Sequence, residues 1–238
     1  MVERYWRILG RKYMYHAKEQ DKWKGFVMGF VHTNLRSVDG DRRVIDKLLS
    51  DIPSPEEAWC PLEYSEYRPF GLSRAHLVSI CENANTFRRV EPAIRYCDRE
   101  RMREFKLKGV DVKHLGYKGI DMTLLDCGCE LPVVDIHLAR YLFKKRPEFR
   151  KLFERFGITN PYSKEFRRRF RIMQVSRRSY DEMWRIAMDE AAAEGMPPGQ
   201  WHVAAWMKER FYRVFPKLKD YRRYRVARIY VSRLFKKS

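Results

Sequence analysis

Between residues 22 and 38 the apolar side chains Trp23, Phe26, Val27, Phe30 and Val31 recur at i, i+3, i+4, i+7 and i+8. That spacing gathers them on one face of an α-helix and on no single face of a strand. The same period returns in "RRVIDKLLSDI", with Val44, Ile45, Leu48 and Leu49 inward, and in "SRAHLVSIC", with Leu77, Ile80 and Cys81 inward. No segment of useful length alternates apolar and polar residues as a half-buried strand would. The chain is therefore expected to be all-α. "SVDGD" reads as a break between two helices, Ser54 and Pro55 as a helix start, Gly71 as a C-cap and Ser73 as the opening of the next helix. A further helix is predicted over residues 136–143, and from Arg146 basic helices alternate with "GITNPYS" and "GMPPGQ".

A chain of 238 residues can bury a substantial core, as one large domain or two small ones. Lys and Arg total 50 against 31 Asp and Glu, a formal net charge of +19. An imbalance of that size points to a polyanionic partner, nucleic acid first and an anionic membrane surface second. The longest apolar run, "GFVMGFVH", is too short to span a bilayer, and the charged "MVERYWRILGRKYMYHAKEQ" lacks a signal-peptide h-region. An intracellular protein, in the cytoplasm or nucleoid and with no membrane partner, is expected. Cys60, Cys81, Cys97, Cys127 and Cys129 are odd in number and scattered, which reads as buried free thiols rather than a disulfide framework. The pair in "DCGCEL" has no matching partner pair, so no metal and no cofactor are expected.

The most informative stretch is residues 109–142. "DVKHLGYKGIDMTLL" reads as a helix entry after a tight glycine turn, and "PVVDIHLARYL" as an aspartate opening the next helix. Together they resemble the helix-hairpin-helix, endonuclease III-like DNA glycosylase superfamily, closest in motif to the 8-oxoguanine DNA glycosylase/AP lyases. The resemblance covers about residues 22–145. It puts the hairpin's second glycine on Gly116, the Schiff-base lysine on Lys118, an acidic residue that follows it on Asp121, and the essential aspartate on Asp135. It also implies DNA contacts from Lys113, His114 and Gly116 in the hairpin, and from Asn34 as the residue that fills the gap left by a flipped base. The consensus departs at His114, where the family has its first hairpin glycine, and at Val112 and Lys113, where it has Leu-Pro. Nothing resembles the four-cysteine iron–sulfur loop.

The resemblance implies two helical subdomains with an active-site cleft between them. One would cover residues 22–135 and end in the hairpin at about 99–128; the other would cover 1–21 plus 136–238. It further implies a monomer acting on double-stranded DNA that carries a damaged base. Such an enzyme extrudes its target base into a pocket. A lyase then needs a neutral amine to attack C1′, expel the base and leave a Schiff base, and a carboxylate to stabilise charge at the sugar. 8-Oxoguanine is the favoured base, with oxidised pyrimidines or mismatched bases as alternatives. Trp23, Trp201 and Trp206 are candidates for lining the pocket, although three core tryptophans would look the same in sequence. Taken singly, Lys118 also reads as a solvated surface lysine, Asp135 as a plain N-cap and Asn34 as a C-cap. The rival from another class is a non-catalytic helix-hairpin-helix module that binds nucleic acid through charge. In the C-terminal third, "KEFRRRFRIMQVSRRSYDEMW" interleaves arginines with aromatics, a composition suited to phosphate contacts with packing or base stacking.

Overall fold

Two glycines one turn apart, Gly25 and Gly29, let two helices of the protein pack backbone against backbone. In the computed structural model, which describes residues 2–34, 38–57, 63–70, 72, 74–107 and 115–214, a Cβ at Gly29 would lie 2.5 Å from Thr123 Cα. One at Gly25 would lie 2.7 Å from the Asp126 carbonyl oxygen. The two helices concerned are in backbone contact, and only residues without a side chain permit it.

The described residues form thirteen α-helices and no strand. They are α1 (Val2–Glu19), α2 (Lys22–Asn34), α3 (Val38–Asp51), α4 (Tyr64–Tyr67), α5 (Arg74–Ala84), α6 (Phe87–Arg95) and α7 (Arg99–Leu107), followed by α8 (Tyr117–Asp126). The rest are α9 (Ile136–Lys145), α10 (Pro147–Glu154), α11 (Lys164–Val175), α12 (Arg177–Ala193) and α13 (Pro198–Val214), with 3-10 turns at Pro55–Glu57 and Arg68–Phe70. The all-α expectation holds. Two local readings do not. α3 begins at Val38 and runs through Gly40, so "SVDGD" is largely helix, and Pro55 opens a single 3-10 turn rather than an α-helix. Gly71 and Ser73 lie outside the described residues.

The chain divides into two compact units, one of residues 15–129 and one of residues 1–14 with 130–238. In the 15–129 unit α8 is the central element, buried at every position except Lys118. α2 lies along it through Gly25 and Gly29, while Trp23 and Phe26 of α2 stack on each other and both meet Phe87 edge-on. Arg99 joins α7 to α8 by bonding Asp121 at 2.8 and 3.1 Å, and His32 joins α2 to Asp126 at 2.8 Å. Both aspartates are fully buried, so each requires such a partner.

The end of α8 explains the "DCGC" motif. Gly128 takes φ +92°, the Gly128 amide bonds the Leu125 carbonyl and the Cys129 amide bonds the Leu124 carbonyl, which together make a Schellman cap. The Gln20 amide and the Lys22 ammonium donate to the carbonyls of Asp126 and Cys127. The sequence reading of the cysteines is corrected here. Cys97 and Cys129 form a disulfide with Cα atoms 5.5 Å apart, Cys81 is also disulfide-bonded, and Cys127 is the one free thiol among the described residues. Their 32-residue separation hid the pairing, because α7 and α8 carry the chain out and back to its starting point.

The other unit is built on α9 and α13. α9 buries Leu138, Ala139, Leu142 and Phe143, and α13 buries Trp201, Ala204, Ala205 and Phe211. A run of phenylalanines, Phe143, Phe149, Phe153, Phe166 and Phe170, fills the space among α9, α10 and α11.

Candidate active site

Each unit presents one of the two residues to which the sequence resemblance gives a chemical role. In the 15–129 unit Gly116 is the N-cap of α8, with φ −75° and ψ 175°, so Lys118 is the second residue of the helix. That backbone is open to any residue. What glycine contributes is space, since a Cβ there would meet no atom of a described residue within 4 Å. The Ile120 amide bonds the Gly116 carbonyl, and Gly116 has no side chain with which to cap the amides that follow it. The N-terminal end of α8 sets its positive dipole end beside Lys118. In a helix otherwise buried end to end, Lys118 alone is half-exposed.

In the other unit Asp135 is the N-cap of α9, in extended backbone with φ −98°. Its Oδ1 accepts from the amides of His137 at 2.9 Å and Leu138 at 2.8 Å. Its Oδ2 accepts from the indole N–H of Trp206 at 2.8 Å. One oxygen therefore starts the helix and the other is aimed by α13. The plain N-cap role and a chemical role are compatible, because the cap uses only one oxygen.

The segment leading into Asp135 is fixed in the same way. Val133 and Val134 are fully buried and belong to no regular element, so their backbone groups need partners. The Val133 amide donates to His202 Nδ1 at 3.4 Å, the Val134 amide to the Tyr180 hydroxyl at 3.3 Å, and the Val134 carbonyl accepts from Gln174 at 2.9 Å. Sequence reading did not assign these three side chains to the site. The one available signal was that His202 and Trp206 are four residues apart and share a face of α13, and both point at residues 133–135.

The three tryptophans separate. Trp23, expected to line a base pocket, is a core residue of the 15–129 unit: it is 3% exposed and its indole N–H bonds the Ile52 carbonyl at 2.9 Å. Trp201 borders a shallow cleft with Trp6, Tyr141, Glu194 and Lys208, but at 1% exposed it offers no ring face to a stacked base. Trp206 is half-exposed, with the His137 ring edge-on at 5.8 Å and the Arg210 guanidinium 5.0 Å from its own ring. Lys113 and His114 lie outside the described residues; Asn34 is the last residue of α2, and its side chain is outside them too.

Charged groups around the site are organised as networks. Burial works against the Lys144 charge, but the Glu209 carboxylate and the Tyr162 hydroxyl outweigh it, leaving the ammonium above its ordinary range. Burial likewise pushes Glu194 up, and the Tyr141 hydroxyl at 2.7 Å with Lys145 at 3.6 Å brings it below the usual carboxylate range. Burial raises the Cys127 thiol far above its ordinary value, which leaves it unreactive. Among the described residues no three His, Cys, Asp or Glu side chains are grouped to hold a metal ion, and no helix is long and apolar enough to cross a membrane.

No protein-family model matches the chain, and neither a curated protein nor a solved structure matches it significantly.

Proposed function

We propose that the chain is a base-excision DNA glycosylase with AP lyase activity, working from a helix-hairpin-helix unit formed around α7 and α8. The observation that carries this reading is the placement of Lys118. It is the single accessible side chain of a buried helix, and it sits at the helix start two residues beyond a glycine that has no side chain. The helix start after Gly116 suits a DNA phosphate, and the attack requires the Lys118 amine in its uncharged form.

In the reaction the Lys118 amine attacks C1′ of the damaged nucleotide. The C1′–base bond breaks with its electron pair leaving on the base, and the base takes up a proton. The amine loses a proton and the sugar ring opens to a Schiff base, which permits strand cleavage. Asp135 stabilises positive charge at the sugar and moves protons, with Trp206 holding the oxygen that does so. 8-Oxoguanine is the base we favour, from the likeness of "GYKGID" and the lack of a four-cysteine loop; oxidised pyrimidines or mismatched bases are the other candidates.

The test is borohydride trapping on duplexes containing 8-oxoguanine, thymine glycol or an abasic site, beside undamaged DNA. Wild type should form a covalent adduct on a base lesion. Lys118→Ala should form none while keeping its affinity for duplex. Asp135→Asn should slow base release at least tenfold with the fold intact, since asparagine caps a helix as well as aspartate does. Tight, salt-dependent duplex binding with no adduct and no base release on any lesion would return the chain to the non-catalytic binding class.

A further inference from the structure

α11 carries a row of cations that the chain itself does not use. Lys164, Arg167, Arg168 and Arg171 stand at i, i+3, i+4 and i+7, and all four are exposed. None of them forms an ion pair or side-chain hydrogen bond with another described residue. Several arginines elsewhere are paired: Arg95 with Glu91, Arg99 with Asp121, and Arg146 with Glu148 and Glu190. α11 has one acidic residue, Glu165, to set against five cations. Lys164 with Arg168 and Arg167 with Arg171 are like-charged pairs four residues apart, an arrangement that destabilises a helix standing alone. The row therefore costs local stability that an external polyanion would return.

The opposite face of α11 decides which polyanion. Phe166, Phe170 and Met173 are all buried at 2% exposure or less, and Arg169 lies over the Phe156 ring at 3.4 Å instead of joining the row. No aromatic ring stands in the row for a base to stack on, so the surface lacks what a single-strand platform needs. Four cations over seven residues of helix span about 10 Å. Phosphates of one DNA strand follow each other every 3.4 Å or so along the duplex axis, so the row covers about three of them.

We infer that the exposed face of α11 is a second nucleic-acid surface, a phosphate rail for the sugar–phosphate backbone of duplex DNA. This rests on the duplex-binding part of the proposed function and adds the residues that secure it.

The experiment compares wild type, the triple variant Arg167→Gln/Arg168→Gln/Arg171→Gln, and a control triple variant, Arg11→Gln/Lys24→Gln/Lys151→Gln. The control removes the same charge from exposed positions outside α11. Duplex binding is followed by fluorescence anisotropy across a salt series, on undamaged DNA. Each lost phosphate contact removes about 0.9 from the slope of log K against log salt. The rail variant should therefore have a slope shallower by about 2.7, and between roughly 50 and 200 mM salt it should lose about 40-fold less affinity than wild type. The control should keep most of the wild-type slope. Equal changes in the two variants, an unchanged slope in the rail variant, or wild-type binding to anionic phosphatidylserine vesicles but not to duplex would each overturn the rail.

Trapping on lesion duplex in the same preparations separates this inference from the parent reading. Wild-type trapping with an unaffected rail variant removes the rail and leaves the enzyme standing. No trapping, with the slope still lost in the rail variant, leaves the rail and removes the enzyme.

Discussion

Gly29→Ala tests the packing that positions Lys118. The added methyl would sit 2.5 Å from both Cα and Oγ1 of Thr123 and 2.9 Å from its Cβ. Relaxed carbon contacts are about 3.5–4.0 Å, so α2 and α8 must part by about 1 Å. The obstructing atoms include the α8 backbone, which cannot swing aside, and this places the cost near the top of the usual 1–3 kcal/mol range for overpacking. Alanine returns about 1 kcal/mol through its helix propensity, which leaves a net loss of about 2 kcal/mol. With a urea dependence of about 2 kcal/mol per molar, the midpoint followed by circular dichroism should fall by about 1 M. Gly116→Ala is the matched control. Its Cβ would meet no described residue within 4 Å, and its stability should stay within about 0.5 kcal/mol of wild type. A Gly29→Ala midpoint at or above wild type would refute the close-approach argument.

Three further outcomes follow from the buried interactions. Arg99→Met leaves the fully buried Asp121 carboxylate without its bidentate partner and should destabilise by about 3–5 kcal/mol, with most of the loss recovered by adding Asp121→Leu; equal losses in the single and double variants in urea titrations would count against a structural pair. Reducing the Cys97–Cys129 disulfide, which closes a segment 32 residues long, should cost about 3.5 kcal/mol on the chain-entropy estimate, and an unchanged melting temperature in reductant would contradict it. Glu194 is held below its ordinary range in the folded state, so its stabilising contribution is present above about pH 4.5 and is lost as pH falls through the folded value. The melting temperatures of wild type and Glu194→Gln should therefore differ at neutral pH and converge as pH falls below the ordinary glutamate range, and a constant gap across that fall would show that the carboxylate is not the source.

The helical periodicity of Trp23, Phe26, Val27, Phe30 and Val31 was legible because local spacing sets which residues share a face, and all five are buried. The start of α3 was not. Gly40 and its flanking aspartates read as a break, but they lie within a helix whose later turns bury Val44, Ile45 and Leu48, and packing overrode weak local propensity. The cysteines were misread for a related reason: only the return of α8 past α7 brings Cys97 to Cys129. The glycine, lysine and aspartate of the candidate site stood out in the sequence as a pattern. What holds Asp135 did not, because Gln174, Tyr180, His202 and Trp206 come from three helices as much as 71 residues away. Nor does any local rule distinguish Trp206, bonded to a carboxylate, from Trp23, bonded to a carbonyl in the core.

The central claim is that one amine, on Lys118, forms the covalent link to DNA. The most direct measurement is to trap wild type on an 8-oxoguanine or abasic duplex with borohydride, digest protein and DNA, and locate the modified residue by mass spectrometry. A reduced sugar adduct is expected on the peptide containing Lys118 and on no other lysine. An adduct spread over the surface lysines, or fixed at a different single residue, would contradict it.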